Sequence, residues 1–135
     1  MIHAELSGKI IAGYYDVYNH FAGDHLESTY QRSLAIVLGD RGLSVEQEVS
    51  FTILFRGQDV GVYRLDLLVE NKVVVECKAT SRIHPVHERQ IAHYLRATGF
   101  PLGLLLNFGP SPQFMRFINS KVKSGANDVL FKRRA

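Results

Sequence analysis

Residues 65 to 80 read LDLLVENKVVVECKAT, two strongly apolar runs joined by a short polar break at Glu70-Asn71. Runs of this length and composition on either side of turn-like residues predict a β-hairpin. Both strands are apolar enough to demand cover, so the hairpin has to sit within a sheet. Three charged residues, Asp66, Glu76 and Lys78, interrupt these runs. Side chains alternate along a strand, which places Glu76 and Lys78 on one face while Val75 and Cys77 point to the other. An unpaired buried carboxylate costs several kcal/mol, so Glu76 needs a partner such as Lys78 or a metal ion. A turn near Glu70-Asn71-Lys72 would bring Asp66 opposite the Val75 to Glu76 region.

The rest of the chain is organised around these strands. Ile10, Ile11, Tyr14, Tyr15, Val17, Tyr18 and Phe21 fall at helical spacings and predict a first helix over residues 8 to 21. After Ala22-Gly23, DHLESTYQRSLAIVLGDRG carries Leu26, Tyr30, Leu34, Val37 and Leu38 on one stripe. Asp24 followed by Glu27 has the form of a capping box at the start of this second helix. The period then changes: SFTILF, VGVYRLDLLV and KVVVECKA, separated by Arg56-Gly57-Gln58-Asp59 and Glu70-Asn71, predict three consecutive antiparallel strands. Pro85 opens a further helix that closes at Gly99. PLGLLLNFG is the pattern of a strand buried on both faces, and residues 111 to 123 are expected to form a final helix before an irregular basic tail from about 124. The sum is a single domain over residues 1 to 135, an α/β sandwich in which helices cover a mixed sheet.

Two carboxylates on adjacent strands with a lysine two residues beyond one of them suit phosphoryl chemistry. Oxygen ligands favour Mg²⁺ or Mn²⁺, which can bind a scissile phosphate and lower the pKa of an attacking water. A lysine beside them could orient that water or neutralise charge developing on phosphorus. The spacing alone is equally compatible with a salt-bridged hairpin end.

Charge and cysteine content narrow the partners. The net charge is +3, but from Arg116 onward six basic residues face the single acid Asp128, so the body is weakly acidic and the tail basic. Such a tail can contact phosphates or simply be solvated. No stretch approaches the length of a membrane span and no leader is evident, so a cytoplasmic protein with no membrane partner is expected. The lone Cys77 excludes an internal disulfide and points to a reducing compartment. His87, one turn before Gln90, is a candidate for a phosphate or water contact.

Asp66 with Glu76-Cys77-Lys78 resembles the PD-(D/E)XK nuclease superfamily, and the segments HLESTYQRSLAIVL, GVYRLDLLVENKVVVECKA and HPVHERQIAHYLRATGFPLGLLLNFG are similar to its GxxExxY branch. The resemblance covers about residues 8 to 120 and implies a restriction-endonuclease-like core. It assigns metal binding to Asp66, Glu76 and Glu27, and the catalytic lysine to Lys78. Gln90 and Tyr94 resemble the Gln-x-x-x-Tyr element of RecB-like exonucleases, which helps hold the nucleic acid. Tyr30, three residues after Glu27 and on its helix face, falls with the substrate-contacting residues. The family glycine would fall at Asp24. The implied activity is hydrolysis of nucleic acid, with DNA the expected substrate and Mg²⁺ or Mn²⁺ the cofactor. The alternative is a non-catalytic nucleic-acid- or partner-binding module on the same fold. A domain this small is also compatible with a homodimer or a larger partner protein.

Overall fold

A computed structural model of the chain describes residues 3–21, 23–119 and 129–134. The two apolar stripes at the start form α1 (Ala4–Phe21) and α2 (Glu27–Asp40), which bury Ile10, Tyr14 and Val17 against Tyr30, Leu34 and Leu38. The expected capping box does not form. Leu26 occupies the N-cap without a side-chain bond and Glu27 is the first helical residue, which releases its carboxylate for use elsewhere. Asp24 lies in the loop before the helix with φ 65°, where it turns the chain.

The predicted meander is present as β1 (Val45–Phe55), β2 (Gln58–Val69) and β3 (Val73–Lys78), each antiparallel to the next. Arg56-Gly57, the two-residue turn of the first hairpin, and Glu70-Asn71, in the three-residue turn of the second, all have positive φ, the conformation that lets a tight turn follow the twist of its strands. Helix α3 (Pro85–Thr98) starts where predicted, with the His84 Nδ1 accepting the Val86 amide at 3.2 Å, and ends at Gly99 with φ 84°. It carries the chain to β4 (Leu102–Phe108), every residue of which is buried and which runs parallel to β3.

Two C-terminal expectations are corrected. Residues 112–118, expected to be helical, form β5 (Pro112–Ile118), antiparallel to β4. The backbone groups on the outer edge of the buried β4 need partners, and Pro112 takes the first strand position, where its missing N–H is tolerated. The rest of that predicted helix, 120 to 123, lies outside the described residues, as do residues 124 to 128 of the tail. The tail's described part is β6 (Val129–Arg133), antiparallel to β1. Its basic residues meet acids of the first hairpin, Arg133 pairing with Glu46 and Arg134 with Asp59 at 3.8 Å. These exposed pairs set register more than they add stability.

The six strands lie in the order β5-β4-β3-β2-β1-β6, with β3 and β4 the parallel pair. Leu67, Val69, Val75 and Cys77, with alternate residues of β4, face α1 and α2; Leu65, Leu68, Val74 and Phe51 face the opposite side, where Leu95 of α3 lies. The architecture is therefore a mixed sheet between helical layers. Among the described residues no helix is long and apolar enough to cross a membrane.

Candidate active site

The site arises where the sheet opens. Strands β2 and β3 pair through Val69↔Val73, Leu68↔Val74 and Leu67↔Val75, and the ladder then stops. One further step of the same register would set Asp66 opposite Glu76. Instead Asp66 Oδ2 accepts the Cys77 amide at 2.8 Å, taking a hydrogen bond that a strand neighbour would otherwise accept. On its other side Asp66 is also unpaired, because the β1–β2 ladder passes from Gln47↔Leu67 to Val49↔Leu65 and Glu48 has φ 53°. Leu65 and Leu67, two apart, would share a face of a regular strand, yet they belong to different cores. Strand β2 thus rolls over at Asp66.

Glu76 projects into the same opening, where its Oε1 accepts the Tyr63 hydroxyl at 2.5 Å. Burial first, and then the Asp66 charge, push the Glu76 carboxyl up to about 8, against the opposing pull of Tyr63 and Lys78. Burial also raises the Asp66 carboxyl, and the Cys77 amide, a hydrogen bond with Glu76 and the Lys78 charge offset part of that. Two carboxyls in contact that hold on to a proton near neutral pH form a site with affinity for positive charge. Among the described residues no three His, Cys, Asp or Glu side chains cluster closely enough to hold a metal ion by themselves. A hard cation such as Mg²⁺ usually keeps several waters and takes one or two carboxylates plus substrate phosphate, so the Asp66–Glu76 pair fits it.

Lys78 is the last residue of β3, half-buried and level with Asn107 of β4. The chain beyond it is tightly held. Glu27 Oε2 accepts the Ala79 amide at 3.2 Å. Asn107, fully buried, accepts the Thr80 amide through Oδ1 and donates from Nδ2 to the Thr80 carbonyl, both at 3.0 Å. Gly109 closes on the same carbonyl so tightly that an added Cβ would lie 1.9 Å from it. Gln113 Oε1 accepts the Ile83 amide at 2.8 Å. A cleft of about 400 Å³ lies on one side of this loop, lined by Tyr18, Asp24, His25, Ser81 and Phe108 among others. A second of about 520 Å³ is lined by Arg82, His84, Val86 and His87, and both share Thr80 and Ser81.

The expected residues are distributed as follows. Asp66, Glu76 and Lys78 share the opening, and Glu27 is tied to the main chain immediately after Lys78, outside any three-carboxylate cluster. Burial and the charges of Lys78 and His84 lower the His87 pKa, and its buried Nδ1 has no hydrogen-bond partner among the described residues. Gln90 donates to the Tyr94 hydroxyl at 3.2 Å, as their spacing predicts, but the Tyr94 ring is stacked on Tyr63, with centroids 3.4 Å apart. The substrate contact expected of Tyr30 does not suit its position. Only 1% exposed, it stacks on Phe108 at 4.4 Å and uses its hydroxyl to accept the His25 amide, shaping the loop before α2. Sequence reasoning missed Tyr63 and Asn107. Tyr63 read as one more apolar strand residue, while a lone asparagine within the apolar PLGLLLNFG was a visible signal for a buried polar clamp.

Comparison with known proteins agrees with this fold. Residues 4–117 match the family model described as the PD-(D/E)XK nuclease superfamily. No curated protein matches the chain. The fold is similar to that in the crystal structure of SSO0001, with a TM-score of 0.52 and 24% identity, over 72% of this chain and 52% of that one. The matched region thus spans about half the length of SSO0001.

Proposed function

Because the chain belongs to the PD-(D/E)XK nuclease superfamily, we propose that it is a Mg²⁺- or Mn²⁺-dependent phosphodiesterase acting on DNA, of the GxxExxY branch. The observation that carries this reading is the convergence of Asp66 and Glu76 where the β2–β3 ladder opens, with Lys78 at the end of the same strand. Support for the branch comes from Glu27 and Tyr30 at its named positions and from Asp24, whose φ of 65° suits the glycine of the pattern.

Asp66 and Glu76 would supply oxygen ligands to a divalent cation, which when bound would provide Lewis-acid polarisation of the scissile phosphate and a lowered pKa for the attacking water. Lys78 orients that water and balances the negative charge that grows at phosphorus as the water oxygen bonds and the ester oxygen leaves. Glu27 and Asn107 fix the main chain that follows Lys78. His87, on the wall of the cleft beside Thr80 and Ser81, is placed to bond a phosphate oxygen or a water. The exposed Gln90 amide, held to Tyr94, supports the nucleic acid strand along α3. These roles leave endonucleolytic and exonucleolytic action as outcomes of one experiment. Linear and circular, single- and double-stranded DNA and RNA are incubated with Mg²⁺, Mn²⁺ or chelator. Metal-dependent cleavage of DNA that falls at least 100-fold in Lys78→Ala and Asp66→Ala is expected. Equal cleavage by those variants refutes the mechanism, while salt-sensitive binding without cleavage would identify a binding module.

A further inference from the structure

We propose that Tyr63 is a positioning residue for the metal ligand Glu76, an inference that rests on the metal-site reading above. The phenol stands on β2 beside the opening and donates to Glu76 Oε1 at 2.5 Å. A carboxylate on a strand next to a gap has lost the neighbour that would limit its rotation; one short hydrogen bond to a fixed donor restores that limit. The donor is itself fixed. Its ring stacks on Tyr94 with centroids 3.4 Å apart and planes inclined by 23°, and Phe131 of β6 lies 6.0 Å from Tyr63 and 5.6 Å from Tyr94. Gln90 in turn holds the Tyr94 hydroxyl at 3.2 Å. A chain of contacts therefore runs from α3 through two rings to one carboxylate oxygen of Glu76. Tyr94 accordingly acts on the site through Tyr63 as well as along the surface of α3. Partners of this kind behind a metal ligand typically govern metal affinity by about 10- to 100-fold.

The test uses Tyr63→Phe, which removes a single oxygen and keeps the ring in its stack. Calorimetric titration of Mn²⁺ into the metal-free protein, without nucleic acid, should show affinity reduced at least tenfold. The Mn²⁺ concentration that half-saturates cleavage should rise by a similar factor, while kcat at saturating Mn²⁺ changes less than threefold. A residue that merely stabilised the fold would leave metal affinity unmoved. Tyr94→Leu, which withdraws the stacking support but leaves the Tyr63 hydroxyl, should weaken Mn²⁺ binding in the same direction and serves if Tyr63→Phe misfolds. Glu76→Gln separates the two readings. If Glu76→Gln abolishes Mn²⁺ binding but Tyr63→Phe binds within twofold of wild type, the role of Tyr63 is overturned and the metal site stands. If wild type shows no Mn²⁺ binding that depends on Glu76, both fall.

Discussion

Replacing Asn107 by Ala tests how the segment after Lys78 is held. The side chain is fully buried and makes two 3.0 Å bonds to one residue, accepting the Thr80 amide and donating to the Thr80 carbonyl. Each main-chain group deprived of its partner costs about 1–3 kcal/mol when water cannot replace it. Thr80 is only half-buried, so the lower part of that range applies, and the space vacated by the amide adds about 1 kcal/mol. The expected loss is about 3 kcal/mol, a large share of the roughly 5–15 kcal/mol that holds a domain together. Urea unfolding should show a lower midpoint with an unchanged slope, and hydrogen exchange at the Thr80 amide should accelerate more than at β4 amides. Asn107→Asp sharpens the test, because it retains the acceptor for the Thr80 amide but sets an anionic oxygen against the Thr80 carbonyl. That repulsion raises the folded-state pKa of the introduced acid, so its deficit should be small below the unfolded carboxyl pKa and grow as pH rises through the folded one. A loss in Asn107→Ala below 0.5 kcal/mol, taking that figure as about the size of an ordinary surface change, would refute the clamp. So would a Thr80 amide that exchanges as in wild type.

The raised Glu76 carboxyl makes metal-free stability pH-dependent with a definite sign. Its folded value of about 8 exceeds the unfolded 4.5, so the contribution is complete below 4.5 and declines as pH rises towards 8. In chelator, urea midpoints should fall across that window and level off above it, and Glu76→Gln should flatten the curve. Asp24→Gly should raise stability by about 0.5 kcal/mol, since the residue sits at φ 65°, whereas Asp24→Val should cost about 1 kcal/mol; thermal melts distinguish them. Gly109→Ala should cost about 3 kcal/mol by unfolding, because its Cβ would meet the Thr80 carbonyl oxygen at 1.9 Å, a main-chain atom already pinned by Asn107.

Much of the fold could be read from the sequence because local pattern and tertiary environment agree there. The α1 and α2 stripes, the β1–β2–β3 meander, Pro85 at the start of α3 and the buried β4 are all cases in which burial falls where periodicity puts it. The end of the chain obeys a different constraint. Nothing in SPQFMRFINS specifies a strand strongly, and its state is decided by the edge of β4 that it pairs with, only the turn at Gly109 to Ser111 away. The same holds for β6, which pairs with β1, about eighty residues earlier, a separation seen in the 82 residues between Arg134 and its partner Thr52. Edge pairing is a property of the assembled sheet, so a window of local sequence carries little of it.

The site divides along the same line. Spacing and hairpin register sufficed to set Asp66 against Glu76 and to send Cys77 into the core, since both follow from the two-residue period of strands. What alternation cannot express is its own failure, and the site is built on one. Leu65 and Leu67 part to opposite cores at Asp66, Glu48 adopts a positive φ across from it, and the β2–β3 ladder ends one residue short. If β2 had continued regularly, the Cys77 amide would lie in the ladder, Asp66 would remain on the face of Leu68, and Tyr63 would share the face of Leu67 with no reach to Glu76. The break adds a phenol to the two acids that register already brings together at the end of β3. The charged residues in LDLLVENKVVVECKAT are therefore compatible with buried strands because the strands separate where the charges stand.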